Sequence, residues 1–145
     1  MSTVVIDTNV LASGFVRSHP EAPPVQVLDA WRDRAYTLAV SEHILTELAR
    51  TLNDRYFRAR LTAEEIAADL ALLRAETTIA PITVEVHDVA THPEDDLILA
   101  TAVSAQADYL VTGDRKLQEL GIYEGVAIVR PRQFLEILGR QAQEE

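Results

Sequence analysis

The 145-residue sequence contains no cysteine, so disulfides and thiolate metal sites are excluded. Any metal must be held through oxygen or imidazole. No apolar run reaches the roughly 18 residues of a membrane span, and the first residues lack the basic start and apolar core of a signal peptide. A cytoplasmic protein with no membrane association is therefore expected. Cations are scarce: 13 Lys and Arg stand against 23 Asp and Glu, a formal net charge of −10. That sign does not suit a protein that coats nucleic acid through its overall field. It suits either ordinary solubility or an acidic cation site, and the positions of the acids must decide.

With 48% hydrophobic and 25% charged residues, the composition is that of one packed domain over residues 1–145. Residues 3–6 form an apolar, β-branched run that reads as a buried strand. It ends at Asp7-Thr8-Asn9, where Thr8 or Asn9 caps a helix over residues 10–16. A loop rich in proline precedes a second helix, 25–34, and residues 36–40 read as a second strand. Ser41 caps a helix carrying the stripe Ile44, Leu45, Leu48, Leu52 through residue 53. Thr62-Ala63-Glu64-Glu65 is a capping-box start for a helix to residue 75.

Residues 77–86 are extended in character, and 92–94 form a turn. A helix over 95–106 buries Leu97, Ile98, Ala102 and Val103. A strand over 108–112, a short helix 116–120, a strand 126–129 and a helix 131–139 complete the chain, with 140–145 expected to fray. Strands and helices thus alternate throughout. The pattern predicts an α/β fold with three layers, α/β/α, around a central, mostly parallel sheet.

In a parallel sheet, ligands bind outside the carboxyl ends of the strands. Asp7 follows the first strand directly, and Asp114 follows the strand before Gly113. Asp95 and Asp96 open a helix, and Glu47 lies two turns into the helix after the second strand. Each has an ordinary explanation: helix-dipole compensation for Asp95 and Asp96, a turn for Asp114, a solvated helix face for Glu47. Asp7 is the exception, because a charge against a buried strand end costs free energy unless it is paired. Clustered carboxylates repel and raise one another's pKa values. A hard divalent cation, Mg²⁺ or Mn²⁺, removes that penalty and lowers the pKa of bound water for phosphodiester hydrolysis. No P-loop, dinucleotide, nucleophile-elbow or HExxH motif competes. The histidines His19, His43, His87 and His92 lack ligand spacing and read as surface or loop residues.

Four segments resemble, in order, the motifs of PIN domains. They are Val5-Ile6-Asp7-Thr8-Asn9, Ser41 through Leu48 with Glu47, Asp95-Asp96-Leu97-Ile98-Leu99-Ala100-Thr101-Ala102, and Ala107 through Asp114. The wording is similar to the VapC-like toxins of toxin–antitoxin pairs. The resemblance implies an endoribonuclease using one or two Mg²⁺ or Mn²⁺ ions, an antitoxin partner and a homodimer. It carries over Asp7, Glu47, Asp95 and Asp114 as metal ligands. In the family the third acid lies seven residues before the last alanine of its motif, which from Ala102 gives Asp95. Asn9, Asp96 and Thr112 would stand behind the ligands and orient them.

An acidic nuclease needs local cations for RNA. Arg50, Arg55, Arg58 and Arg60 surround Tyr56 and Phe57, and Arg115 and Lys116 follow Asp114. Singly, each also reads as a solvated surface cation. Helices near Trp31 or Leu61 are expected to offer a dimer face. Two rival readings remain. One is an acidic phosphatase of haloacid-dehalogenase type, although its second Asp is here Asn9. The other is a PIN scaffold that only binds RNA or protein. A receiver domain is disfavoured, since no phosphoacceptor Asp follows a mid-chain strand.

Overall fold

The computed structural model describes residues 1–144. Six strands form one sheet: β1 (Thr3–Ile6), β2 (Thr37–Val40), β3 (Thr78–Ile79), β4 (Tyr109–Val111), β5 (Ile122–Tyr123) and β6 (Val126–Val129). Their order is β3-β2-β1-β4-β6-β5, parallel throughout except for the antiparallel β5–β6 pair. The helices are α1 (Thr8–Phe15), α2 (Pro23–Arg32), α3 (Glu42–Leu52), α4 (Arg55–Arg58), α5 (Ala63–Glu76), α6 (Pro93–Ser104), α7 (Arg115–Glu119) and α8 (Pro131–Glu144). Together they make the three-layer α/β/α architecture that alternation predicts. None of these helices is long and apolar enough to cross a membrane.

β1 is central because every residue of its apolar run can be buried. Val4, Val5 and Ile6 have no exposed surface, which requires cover on both faces. The chain moves from β1 to β2 and β3 on one side, then returns to place β4 on the other side of β1. The carboxyl ends of β1 and β4 therefore border the crevice of a topological switch point.

Local chemistry sets the helix starts. The Ser41 Oγ accepts the Ile44 N–H, and its hydroxyl meets Thr101 Oγ1 at 2.8 Å. Thr62 and Glu65 form the capping box reciprocally. Other expectations need correction. The cap of α1 is Asp7, not Thr8 or Asn9: its carboxylate accepts the Asn9 N–H and α1 begins at Thr8. Residues 92–94 are not a separate turn, because Pro93 occupies the first turn of α6, where its missing N–H is harmless. Leu97 is exposed, since α6 packs through Ile98, Leu99 and Ala102. Only two residues of the 77–86 stretch pair as a strand.

The short strand β5 was not anticipated. It joins β6 through Glu124 and Gly125, both at positive φ (48° and 82°), as a two-residue hairpin of right-handed twist demands. The expected frayed tail is instead the last turn of α8, helical to Glu144, while Glu145 lies outside the described residues. Trp31 and Leu61 are each 7% exposed and belong to the core, so neither side chain offers a dimer face.

Gly14 lets α1 approach α2. A Cβ there would stand 2.6 Å from Leu28 Cδ1 and 2.8 Å from the Pro24 carbonyl oxygen. The leucine can shift, but the carbonyl is backbone. Gly14→Ala is expected to destabilise the fold by about 1–3 kcal/mol. Chemical denaturation checks it, and an unchanged midpoint would mean that the α1–α2 contact is loose.

Candidate active site

The crevice at the switch point is built from the end of β1 outwards. The Asp7 N–H donates to the Val111 carbonyl (2.9 Å), so the strand pairing continues to the residue that carries the carboxylate. Asp7 is 6% exposed. Its Oδ2 accepts the Thr112 hydroxyl at 2.6 Å and its Oδ1 the Asn9 N–H at 3.2 Å. Burial raises its pKa, these two donors oppose the rise, and the Asp114 charge adds to it.

Thr112, fully buried, serves two acids. Its Oγ1 also accepts the Asp114 N–H at 3.0 Å. Asp114 then caps α7, accepting the N–H groups of Lys116 and Leu117. Glu47 reaches the crevice from α3, where its Oε1 accepts the Thr8 hydroxyl at 2.6 Å. His43, one turn earlier, places Nε2 3.5 Å from Glu47 Oε2, and that buried nitrogen has no hydrogen-bond partner.

Asp95 stands in the first turn of α6. Burial raises its pKa to about 6, followed by repulsion from Asp7 and Asp114, with relief from His92 and a further push from Glu47. No hydrogen bond offsets these effects. Asp95 therefore feels the other three acids, which come from three separate stretches of chain. Its neighbour Asp96 turns away: its carboxylate accepts the backbone N–H groups of Asp88 (3.1 Å), Val89 (3.2 Å) and Ala90 (2.7 Å). It ties down the loop that leads into α6.

Two hollows open around this centre. One, of about 560 Å³, is bordered by Asp7, Asp95 and Asp114. The other, of about 340 Å³, is bordered by Asp7, Glu47 and Asp95. Asp7, Asn9, Glu94 and Asp95 form the wall common to both. Among the described residues, no three His, Asp or Glu side chains close on one point tightly enough to make a finished metal cage. The donors are nonetheless of the right kind. All four are carboxylates, they repel, and neutral hydroxyls rather than cations hold Asp7 and Glu47. Such a set matches the preference of Mg²⁺ and Mn²⁺ for oxygen.

The expected basic residues are dispersed. Arg50, one turn beyond Glu47 on α3, borders the smaller hollow. Arg60 instead lies 3.6 Å over the Tyr56 ring and faces a different hollow beside Asp69. Arg58 reaches Asn53 at 3.5 Å, and Arg55, Arg115 and Lys116 are exposed. Sequence reasoning missed Thr8 as the partner of Glu47, and His43, which is half-covered on α3 rather than a surface or loop residue. The i, i+4 spacing of His43 and Glu47 was the available signal.

A family model of the PIN domain matches residues 3–116. The chain belongs to the PIN-domain family. Its fold is similar to that of VapBC2 from Rickettsia felis bound to a DNA fragment from its promoter, at 16% identity and a TM-score of 0.58, covering 87% of this chain and 96% of that one. It is similar to VapC20 from Mycobacterium tuberculosis, a toxin that cleaves the sarcin–ricin loop, at 17% identity and a TM-score of 0.57, covering 83% and 97%. FitAcB from Neisseria gonorrhoeae is also similar, at 19% identity and a TM-score of 0.54, covering 89% and 98%. No curated protein matches.

A carboxylate whose pKa is higher in the folded chain binds its proton more tightly there. Folding then takes up protons between the ordinary aspartate value of 3.8 and about 6, so stability falls as pH rises through that window and is level above it. Asp69, also raised to about 6 by burial, acts with the same sign. Under chelating conditions the melting temperature should therefore decline from about pH 4 to about pH 6 and level off above. Asp95→Asn and Asp69→Asn should each remove part of the slope, and Asp95→Asn should raise the melting temperature at neutral pH. Scanning calorimetry reads this directly; an Asp95→Asn profile parallel to wild type would show that neither burial nor its neighbours raise the Asp95 pKa.

Proposed function

We propose that this protein, as one unit over residues 1–145, is an endoribonuclease dependent on Mg²⁺ or Mn²⁺ that hydrolyses RNA phosphodiester bonds. We further propose that it is the toxin of a toxin–antitoxin pair. Family membership supports a nuclease, and the likeness to a sarcin–ricin loop cleaving toxin supports the biological role. The observation that carries the chemistry is the convergence of four carboxylates on two adjoining hollows, Asp7 and Asp95 in their shared wall with Asp114 bordering one and Glu47 the other. A protein does not keep such an arrangement for stability, since it costs free energy until a cation joins it.

In this reading Asp7, Glu47, Asp95 and Asp114 are the metal ligands. Bound there, one or two divalent ions supply charge stabilisation and a water of lowered pKa. Thr112 fixes the Asp7 carboxylate by an O–H that carries no charge, so the oxygen is oriented without being neutralised. Thr8 does the same for Glu47. Asn9, through its N–H, closes the other side of Asp7, and Asp96 acts at one remove by holding the loop before α6. Arg50 receives a backbone phosphate at the mouth of the smaller hollow, while Arg55, Arg58, Arg60, Arg115 and Lys116 guide the strand from farther out. The partners are RNA, an antitoxin protein and a second copy of the chain.

Two measurements test this. Mn²⁺ should raise the melting temperature by several degrees, corresponding to about 2.7 kcal/mol at a hundredfold excess over Kd. Asp7→Asn should lose most of that rise while leaving the metal-free protein no less stable. Single-stranded RNA should be cut by wild type in Mn²⁺ and not by Asp7→Asn. RNA binding that is insensitive to metal and unaccompanied by cleavage would instead make the chain a binding module.

A further inference from the structure

The two hollows that meet at the acids differ in chemistry. The smaller adds to their common wall Glu47, Thr8, Thr51, Ile98 and one cation, Arg50. The larger adds Val10, Ser13, Pro24, His92 and Pro131 beside Asp114 and Gly113, and has no Lys or Arg on its border. Away from any ion held by the acids, the larger hollow offers a phosphate no basic side chain, whereas the smaller offers Arg50. An uncharged planar group would meet an imidazole, two proline rings and a valine to stack against. It would also find a hydroxyl at Ser13, and at Asn9 an exposed amide able to donate and accept. At about 560 Å³ this hollow lies within the range of roughly 300–1,000 Å³ typical of small-molecule sites.

Resting on the nuclease reading above, we infer that the larger hollow is a nucleobase subsite. It takes the base of the nucleotide on one side of the scissile phosphate, stacked on His92, while the phosphate on the other side goes to Arg50. The strand then crosses the wall of Asp7, Asn9, Glu94 and Asp95 from one hollow into the other. His92 is suited to this part by its place in the fold. It precedes α6 as an exposed cap residue whose side chain makes no capping hydrogen bond, so its ring is not engaged in holding the helix. The loop behind it is secured by the three N–H groups that Asp96 accepts, which steadies the backbone leading to His92. Stacking on a side chain tolerates any base, and the polar groups at Ser13 and Asn9 supply the means to prefer one.

The test uses the full chain with Mn²⁺ and single-stranded RNA oligonucleotides, either intact or abasic at one position flanking the cut. For wild type, the abasic RNA should raise KM roughly tenfold on one side of the cut and leave the other side unaffected. His92→Ala should raise KM for intact RNA by a similar factor with little change in kcat, and should do nothing further to the abasic RNA. His92→Phe, which keeps a stacking ring, should restore KM. Effects of His92→Ala and of the abasic site that multiply independently, or a His92→Ala protein with wild-type KM, would overturn the subsite. Fluorescence anisotropy with Ca²⁺ in place of Mn²⁺ reads affinity for the same RNAs whether or not they are cut. Absence of cleavage by wild type would sink the nuclease reading. Equal affinity for intact and abasic RNA would sink the base hollow.

Discussion

The hydrogen bond from the Thr112 hydroxyl to the Asp7 carboxylate, 2.6 Å long and fully buried, is the constraint around which the crevice is arranged. Asp7 is carried on the most deeply covered strand of the sheet, so its position follows from the core. Its charge does not belong there, and burial penalises it. Thr112 answers that penalty from the neighbouring strand end and at the same time accepts the Asp114 N–H. One hydroxyl thereby links the ends of β1 and β4 and sets the two carboxylates in a fixed relation.

Neutral donors recur around the centre. Thr112 holds Asp7, Thr8 holds Glu47, and backbone N–H groups hold Asp96 and cap with Asp114. Elsewhere in the molecule carboxylates pair with arginine, as Glu42 does with Arg74 and Asp29 with Arg17. A guanidinium would cancel the charge it positioned, whereas a hydroxyl orients a carboxylate and leaves its charge in place. The crevice thus keeps a negative field that the exposed ion pairs do not have. Arg50, on the same face of α3 as Glu47, is the cation at its edge.

Features with a local cause could be read from the sequence. The run over residues 3–6 announces a covered strand, Ser41 and Thr62 announce helix starts, and the stripe from Ile44 to Leu52 announces the buried face of α3. The places where such reading failed had a second cause. Asp7 both caps α1 and lines the crevice, so the cap was assigned one or two residues late. Pro93 looks like a turn residue until the helix behind it is known to need no N–H there. Ile122 and Tyr123 are too short to show periodicity and are a strand only because Val126 and Ala127 pair with them. The basic cluster at Arg50 to Arg60 looked continuous along the chain, yet α3 and α4 send Arg50 and Arg60 to different hollows.

By itself the sequence determined the alternation of elements, the three-layer architecture and the identity of the acids at strand and helix ends, because these follow from hydrophobic period and capping chemistry within a few residues. Only the tertiary structure decided which acids share a space. The reversal of strand order beside β1 brings Asp7 and Asp114 to one crevice, and the packing of α3 and α6 against it adds Glu47 and Asp95. Asp95 and Asp96 are adjacent in the chain and chemically identical. The rotation of roughly 100° between successive helix residues faces the first toward three other carboxylates and the second toward three backbone N–H groups, a distinction that depends on what the rest of the chain has placed around them.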